Sequence, residues 1–529
     1  MLRLNLKRDA LTPFSYAVLY TVASLVLYQK PLLDYALPHI DLGSRDGLTI
    51  LLLLELVQGT LTIAALTLIG VLSVRLMKVV GASVMLVNAA VLYYMATYGV
   101  VIDPTMVGNI LNTNSGEAGG LMHPKLLLWV ALLGALPAAM ALWLPVRRRS
   151  IRSLASVFAL LAVLAGTVWA GSGVWLWFDS HNGNLGPRML PWNYIGNSLR
   201  YAQASARRNR APHLLPAPQL EPLSQDTLVV VVIGEAARPD HLALFGYARD
   251  TSPFTRDLGL LAFPGGRSCS TYTIGSVACI LSPRGSNAEV DDPWEPLPSY
   301  AARAGVDTLV RINNSGTPLM PGVMVETGGE LAARCQGADC PAATHDAVLL
   351  NGLPEWLAEP AERRLLVLHF NGSHGPEYFR KYPEDFEVFT PVCETTLVRE
   401  CSSQELVNAY DNSIRYSDWV MAQLIADLET VPNTAILLLY VSDHGQSLGE
   451  NGVYLHGLPN AIAPDEQRRI PFLVWMNDAF ATARDLDRST LLRPEPDPQN
   501  MIFDTALGAL GIGGDAYDPS RDLMRPESR

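Results

Sequence analysis

Five long apolar stretches in the N-terminal part of the chain constrain its fold more than any other feature. Each is close to the ~20 residues with which a helix crosses a bilayer. The first is rich in aromatic residues and lacks the small-residue cleavage site of a signal peptide. We therefore predict a five-helix transmembrane bundle over residues 1–180, with spans near 14–33, 48–74, 77–102, 125–146 and 153–178.

The charges between these spans set the expected orientation. Basic residues precede the first span, separate the second from the third, and separate the fourth from the fifth: Arg3, Lys7, Arg8, Arg75, Lys78 and "RRRSIR" at 147–152. The alternate loops carry few positive charges near the span ends. Because cytoplasmic loops are enriched in Lys and Arg, we expect a cytoplasmic N-terminus and an extracytoplasmic chain after about residue 180.

The cysteines give an independent indication of the compartment. All six lie in the second half of the chain, at Cys269, Cys279, Cys335, Cys340, Cys393 and Cys401. Their spacing favours three local pairs, although six cysteines leave the connectivity open. Disulfides indicate an oxidising compartment, in agreement with the expected orientation. Unrelated buried thiols are the alternative, and a zinc ribbon is disfavoured because its CxxC spacing is missing.

Residues 181–215 connect the apolar part to a second domain. Trp192, Tyr194 and Tyr201 stand among basic residues, a pattern typical of a helix on a membrane surface. A proline-rich linker follows, and the second domain is predicted over residues 216–529. The net charge of −12 argues against a nucleic-acid partner, which would require a basic face.

The second domain has the pattern of an α/β fold. Short apolar runs, rich in β-branched residues, alternate with segments of helical length: "TLVVVVIGE", "DTLVRI", "RLLVLHF", "AILLLYVSDHG" and "IPFLVWM". Runs of this kind predict a mostly parallel sheet that is buried between helices.

Polar residues at the ends of these runs indicate a metal site. Glu235 ends the first run, His369 ends another and is followed by His374, and Asp443 and His444 end a fourth. In open α/β sheets the chemistry lies at the carboxyl ends of the strands. Carboxylates and imidazoles grouped there are plausible zinc ligands.

The segment "SCSTYTIGSVACILSP", which begins at Ser268, offers hydroxyl groups between two cysteines. Zinc lowers the pKa of a bound oxygen, so a nearby Thr271 or Thr273 could serve as a nucleophile. A Cys269–Cys279 disulfide would restrain the loop that carries them. Alternatively, the threonines are helix caps or turn formers and the disulfide serves stability alone.

Longer motifs give the chain a family resemblance. They include "YYMATYGVVIDPTMVGNILNT", "VVIGEAARPDHLALFGYARDTSP", "SCSTYTIGSVAC", "NNSG", "NGSHGPEYFRKYP", "YVSDHGQSLGENGVYLHGLPNAIAP" and "QRRIPFLVW". With these motifs the second domain resembles the alkaline-phosphatase-like or sulfatase-like superfamily. The whole chain resembles the lipid A phosphoethanolamine transferases, the group that includes the mobile colistin-resistance enzymes.

The resemblance implies a two-step transfer in a bacterial inner membrane, catalysed by a periplasmic domain. Thr273 is the implied nucleophile, which takes phosphoethanolamine from phosphatidylethanolamine and passes it to lipid A. One zinc ion, with a second allowed, is implied at Glu235, Thr273, Asp443 and His444. His374 and His456 are the implied catalytic and substrate-binding helpers, and the six cysteines fall where the family has disulfides. We expect a monomer.

The resemblance also implies a donor site. Asn109, Thr113 and Glu117 are spaced to share one face of a helix, and Glu117 could pair with the ethanolamine ammonium. A solvated helix face is the alternative. Asn314 and Ser315 match further substrate-contact positions.

One departure affects the acceptor. Family members often carry a lysine shortly after "NN", whereas here "NNSGTPLMPGVM" has no basic residue. Arg311 and Arg284 are the candidates to replace it. The alternatives are therefore transfer to core heptose, Kdo or a periplasmic glucan, a phosphoglycerol transferase, a sulfatase-like hydrolase, and a non-catalytic membrane sensor.

Overall fold

The chain divides into two compact units. The computed structural model describes residues 10–112, 122–147, 151–208, 211–335, 340–492 and 497–525. The first unit, here called the helical unit, comprises Met1–Val107 and Met122–Leu199. The second, the sheet unit, comprises Gly108–Leu121 and Arg200–Arg529.

The N-terminal part of the chain is helical throughout its described length. Serine residues fix two of the helix starts, since Ser44 and Ser73 each accept a hydrogen bond from a backbone N–H of the first turn. The helices are α1 (Pro13–Tyr28), α2 (Lys30–Ala36), α3 (Arg45–Leu72), α4 (Val74–Tyr98), α5 (Pro104–Asn112), α6 (Pro124–Trp129), α7 (Leu136–Trp143), α8 (Ile151–Ala170), α9 (Trp175–Leu185) and α10 (Trp192–Arg208). A π-helical segment, Val130–Ala135, joins α6 to α7.

Four described segments are long and apolar enough to cross a membrane: Arg45–Leu72, Val74–Tyr98, Pro124–Trp143 and Arg152–Ala170. The expected first span differs from the prediction, because α1 ends at Tyr28 after 16 residues and α2 begins at Lys30. Pro31 explains the break, since its missing N–H cannot continue a helix. The transmembrane count of five therefore stays a prediction.

Polar contacts join the helices of this unit. The side-chain amide of Gln29 donates to Gln58 at 3.1 Å and to Glu55 at 3.2 Å, which links the end of α1 to α3. The Tyr20 hydroxyl donates to the backbone carbonyl of Gly81 on α4 at 2.9 Å. These bonds satisfy polar groups that would be costly to leave unpaired in an apolar environment.

The sheet unit is built around a seven-stranded sheet of order β3-β10-β7-β2-β6-β4-β5. The pairs from β7 through β2, β6 and β4 to β5 are parallel, whereas β10 pairs antiparallel with both β7 and β3. The mostly parallel sheet is therefore confirmed. The strands of the unit are β1 (Gln219–Leu220), β2 (Asp226–Gly234), β3 (Leu261–Phe263), β4 (Asp307–Ile312), β5 (Met324–Thr327), β6 (Arg363–His369), β7 (Thr434–Ser442), β8 (Ser447–Leu448), β9 (Tyr454–Leu455), β10 (Phe472–Met476) and β11 (Ile512–Gly513).

Helices pack on the apolar faces of this sheet. The longest begins at a capping box in which Ser402 and Glu405 exchange hydrogen bonds. Residues from β2, β7 and β10 form a continuous core with the last helix of the unit. The helices are α11 (Thr273–Leu281), α12 (Leu297–Arg303), α13 (Gly328–Arg334), α14 (Leu353–Ala358), α15 (Ser403–Glu429), α16 (Asp478–Ala483), α17 (Arg488–Leu491) and α18 (Ile502–Ala509).

Each cysteine pairs with its neighbour in sequence. The disulfides are Cys269–Cys279, Cys335–Cys340 and Cys393–Cys401. The local pairing expected from the spacing is confirmed.

Candidate metal centre and nucleophile

Glu235, Asp443 and His444 lie together because two neighbouring parallel strands end at the same sheet edge. The last residues of β2 and β7, Gly234 and Ser442, are register partners. Glu235 follows the first of these strands, and Asp443 and His444 follow the second. All three side chains are almost completely buried. A buried cluster of two carboxylates and one imidazole therefore stands at the carboxyl end of the sheet.

Backbone groups orient Asp443 precisely. Its Oδ1 accepts hydrogen bonds from the N–H groups of Ala236, at 3.1 Å, and His444, at 2.7 Å. Its Oδ2 is buried and accepts no hydrogen bond from the described residues. An unsatisfied buried carboxylate oxygen is costly, so this atom calls for a positively charged partner.

Thr273 lies directly against this cluster. It is the first residue of α11, and the Cys269–Cys279 disulfide joins the loop before this helix to the helix itself. Its hydroxyl oxygen, Oγ1, is 3.2 Å from Glu235 Oε2 and 3.4 Å from His444 Nε2. Thr273 is not the residue that caps the helix, because Tyr272 occupies that position.

Thr271 has a different environment. Its hydroxyl donates to the backbone carbonyl of Leu458 at 2.5 Å and is buried there. Of the two threonines that the sequence left open, Thr273 is therefore the one whose hydroxyl meets the carboxylate cluster.

The donor atoms have the separations of a tetrahedral zinc site. His444 Nε2 is 3.4 Å from Glu235 Oε1 and 3.2 Å from Asp443 Oδ2. Ligands bound to zinc at about 2.0–2.1 Å in tetrahedral geometry lie about 3.3 Å from one another. Nδ1 of His444 is 2.9 Å from the carbonyl of Gly445, which leaves Nε2 for the metal. The residues therefore fit zinc.

His456 extends the cluster. Glu235, His444 and His456 each offer a ligand atom within 4.8 Å of the others. The His456 ring centre is 4.2 Å from that of His444 and 5.0 Å from that of His374. The structure thus places His456 close enough to ligate, whereas the family resemblance gave it only a helper role.

His374 and His456 are poised as neutral bases. Burial lowers the pKa of both imidazoles well below the ordinary value. The charges of Lys381 and His444 lower the pKa of His374 further, and His444 and His374 act in the same way on His456. Both rings are therefore uncharged at neutral pH.

Asn314 also belongs to the cluster. Its side-chain amide donates to Glu235 Oε2 at 2.6 Å, and its Oδ1 accepts from the backbone N–H of Ser315 at 2.7 Å. Gly316, at φ +87°, comes so close to Ile274 that an added Cβ would lie 2.9 Å from that side chain. The loop after β4 and the nucleophile helix are therefore in tight contact.

The predicted donor-site residues are only partly described. Asn109 lies on α5 and is partly buried, while Thr113 and Glu117 lie outside the described residues. Their role stays a prediction.

The two arginines considered as replacements for the missing lysine are engaged elsewhere. Arg311 is buried and donates to Glu326 at 2.8 Å and to the carbonyl of Leu349 at 2.7 Å. Arg284 lies over the ring of Trp294. Lys381 is the better candidate, because its charge reaches His374 and its ammonium donates to Asn371 at 3.0 Å.

Two glutamines that the sequence did not single out support the site. Gln446 contacts His456 Nδ1 at 2.8 Å. Gln499 donates to the carbonyl of Asp443 at 2.7 Å and accepts from the N–H of Cys269 at 2.9 Å, which ties the end of β7 to the nucleophile loop. Gln446 stands inside the "SDHGQ" motif and could have been noticed. No pattern in the sequence marks Gln499.

Two family models match the chain. The model described as "Sulfatase" covers residues 227–512, and the model described as "Phosphoethanolamine transferase EptA/EptB" covers residues 61–206.

Individual relatives extend the match over the full length. The "Phosphoethanolamine transferase EptA" of Helicobacter pylori is 35% identical, with 96% of each chain covered. The structure of an integral membrane lipooligosaccharide phosphoethanolamine transferase from Neisseria meningitidis matches with a TM-score of 0.87 at 28% identity, covering 97% of this chain and 99% of that one. The C-terminal periplasmic domain of the Campylobacter jejuni phosphoethanolamine transferase EptC matches with a TM-score of 0.53 at 32% identity, over 60% of this chain and 99% of that one. Apolar membrane-type helices followed by a sulfatase-like α/β domain, with these relatives, establish that the chain belongs to the phosphoethanolamine transferase family.

Proposed function

We propose that the chain transfers phosphoethanolamine from phosphatidylethanolamine to a phosphate of lipid A, through a phosphothreonine at Thr273. The observation that carries this proposal is the position of Thr273 Oγ1, 3.2 Å from Glu235 Oε2 and 3.4 Å from His444 Nε2. The Neisseria relative is itself named a lipooligosaccharide phosphoethanolamine transferase, which supports the class of acceptor.

In the first step, Thr273 Oγ1 attacks the phosphorus of the donor. A bond forms from this oxygen to phosphorus, and the bond from phosphorus to the diacylglycerol oxygen breaks. Glu235 accepts the hydrogen bond of the hydroxyl and orients it for attack. His374 or His456, neutral because of its lowered pKa, takes up a proton and returns it to the departing diacylglycerol oxygen.

In the second step, a phosphate oxygen of lipid A attacks the phosphothreonine. The phosphorus passes to the acceptor and the Thr273 hydroxyl is regenerated. This step uses the same residues in reverse, since the oxygen of Thr273 is now the leaving group. Positioning and charge neutralisation dominate phosphoryl transfer, which suits a buried, preorganised cluster.

Zinc is the proposed cofactor. Glu235, Asp443, His444 and Thr273 would hold it, and His456 is near enough to join them. When bound, the ion supplies positive charge that favours the ionised hydroxyl and offsets the charge of the phosphate oxygens. One ion accounts for this donor set.

We place the enzyme in a bacterial inner membrane, as a monomer with a cytoplasmic N-terminus. Residues 1–180 are the proposed transmembrane domain, 181–215 the interfacial helix and linker, and 216–529 the periplasmic catalytic domain. The described disulfides and the periplasmic Campylobacter relative support the compartment.

Mass spectrometry of lipid A from cells that express the protein tests the proposal. We expect a phosphoethanolamine adduct with the wild type and none with Thr273→Ala. Thr271→Ala is the matched control, because it removes a hydroxyl from the same loop that bonds to Leu458 rather than to the cluster.

Two results would contradict parts of the proposal. Full transfer by Thr273→Ala would exclude the phosphothreonine. A wild-type protein that is present in the membrane and modifies core heptose, Kdo or a glucan instead would retain the chemistry but exclude lipid A as acceptor.

A further inference from the structure

A second cluster of polar and aromatic side chains lies within the helical unit. It is formed where α2 and the turn after it meet α9 and the turn after that. Its members are partly buried or exposed and contact one another: Tyr35, His39, Trp177, His181, Asn184 and Arg188.

Arg188 is the central feature, because it is a partly buried cation without an acidic partner. Its Nη1 donates to Asn184 twice, to the backbone carbonyl at 2.7 Å and to Oδ1 at 3.1 Å. Its guanidinium carbon lies 4.9 Å from the ring centre of Tyr35. Among the described residues no carboxylate lies within 4.0 Å of it, and its Nε and Nη2 donate to none of them. Two N–H groups of a planar fork are thus left for an anion.

The rings around Arg188 are held in place by one another. Trp177 stacks on His181 with ring centres 4.3 Å apart, and its Nε1 donates to the carbonyl of His39 at 3.1 Å. The His39 ring lies 4.8 Å from that of Tyr35 and 5.4 Å from that of His181. The turn after α2 and the helix α9 are therefore fixed together.

The two imidazoles share one arrangement. Nδ1 of His39 is 2.7 Å from the carbonyl of Tyr35, and Nδ1 of His181 is 2.8 Å from the carbonyl of Trp177. A carbonyl only accepts hydrogen bonds, so Nδ1 carries the proton in both rings. Nε2 of the exposed His39 faces outward and becomes a donor to an anion when the ring is protonated.

A small apolar core supports the cluster from below. Leu32, Ala36 and Ile40 pack with Val174 and Leu185, and the rings of Tyr35 and Trp177 lie against this core. The polar groups are therefore presented on a rigid base, which lowers the entropic cost of binding.

We propose that Arg188 binds the phosphodiester of a membrane phospholipid, with Tyr35, Trp177 and His39 beside the headgroup. A guanidinium fork matches two phosphate oxygens. Tyr and Trp rings are typical of the headgroup level of a membrane. A cation next to membrane-type helices is costly unless an anion neutralises it. This site lies wholly in the helical unit and does not depend on the proposed transfer reaction.

The test measures lipid binding by the full-length protein in detergent. Native mass spectrometry with added phosphatidylglycerol should show a bound lipid on the wild type. Arg188→Met should bind it about tenfold more weakly or worse, because a charge-assisted hydrogen-bonded pair is lost. Arg188→Lys keeps the charge without the fork and should be intermediate.

Arg45→Met is the matched control, since Arg45 is an exposed arginine at the start of α3 and should leave lipid binding unchanged. Equal affinity in wild type and Arg188→Met would overturn the proposal. If Arg188→Met does not purify as a folded protein, equal affinity in wild type and Arg188→Lys would do so. Displacement of the lipid by an equal concentration of inorganic phosphate would show that the site takes a free anion, and would also overturn it.

Discussion

Gln446 accepts a hydrogen bond from Nδ1 of His456 at 2.8 Å, and its amide nitrogen donates to the hydroxyl of Tyr378. Because the amide oxygen of Gln446 can only accept, it fixes the His456 tautomer with the proton on Nδ1 and leaves Nε2 as the ring nitrogen with a lone pair. Gln446 is therefore a positioning residue for an imidazole of the site.

Replacing Gln446 tests this relationship. We expect Gln446→Leu to lower the transfer rate roughly 10–100-fold, the range found when the partner of a ligating histidine is removed. Gln446→Glu, which still accepts from Nδ1, should retain most of the rate and shift its pH profile upward, since a carboxylate raises the pKa of the imidazole. A Gln446→Leu enzyme with wild-type rate and pH profile would show that His456 needs no such partner.

Removal of zinc should lower stability. A ligand that binds the folded state at 100 times its Kd stabilises it by about 2.7 kcal/mol, so we expect a chelator to lower the melting temperature and added zinc to restore it. Asp443→Asn removes one proposed ligand charge and should reduce this zinc-dependent gain. The melting temperature of the full-length protein in detergent is the measurement.

Asp478→Asn is the control for zinc binding, because Asp478 is an exposed carboxylate that pairs with Arg488. Its zinc-dependent gain should equal that of the wild type. If Asp443→Asn also keeps the full gain, Asp443 is not a ligand.

The disulfides should separate stability from activity. Cys269→Ser with Cys279→Ser frees the loop of Thr273, so we expect both a lower melting temperature and a lower transfer rate. Cys335→Ser with Cys340→Ser removes a disulfide of similar loop length, 5 residues against 10, and should lower stability alone. Each loss is worth up to about 2–4 kcal/mol. Equal transfer rates in the two double variants would show that the loop needs no restraint.

His369 should make stability depend on pH. Burial lowers its pKa from the ordinary 6.5 to about 4, with smaller effects of Asp443, which raises it, and His444, which lowers it. The unfolded chain therefore binds the proton more readily. The contribution of His369 is fully present above pH 6.5 and is lost as the pH falls from 6.5 towards 4, by about 3 kcal/mol in total.

Comparison with His369→Asn isolates this effect. The fall in melting temperature between pH 7 and pH 5 should be smaller in the variant. The comparison is needed because Asp418 and Asp504, whose pKa values burial raises to about 6, act in the opposite direction. An identical fall in both proteins would mean that His369 is already charged in the folded state.

The sequence was most informative where chemistry follows directly from a strand. The apolar run of β7 leads into Asp443 and His444, and parallel pairing with β2 brings Glu235 beside them. Both strands are buried on both faces, so their hydrophobic runs are unmistakable. Position at the carboxyl edge then follows from topology, without knowledge of any side-chain contact.

Other parts of the structure depend on contacts that no local pattern records. Gln499 reaches Asp443 and Cys269 from a segment with no motif, and β10 turns antiparallel beside β7 although its apolar run resembles the parallel ones. Pro31 was visible in the first apolar stretch, yet hydropathy outweighed it and the helix break after Tyr28 was missed. Long-range packing decides such features, and periodicity does not carry it.

The Cys269–Cys279 bond has a consequence for the timing of activity. A thiol pair stays reduced in a bacterial cytosol and closes in an oxidising compartment. A newly made chain still facing the cytosol would therefore carry Thr273 on an unrestrained loop, close to the abundant phosphatidylethanolamine of the inner leaflet. With the catalytic domain in the proposed periplasmic location, completion of the nucleophile loop is coupled to export, and the lipids on the cytosolic side are spared.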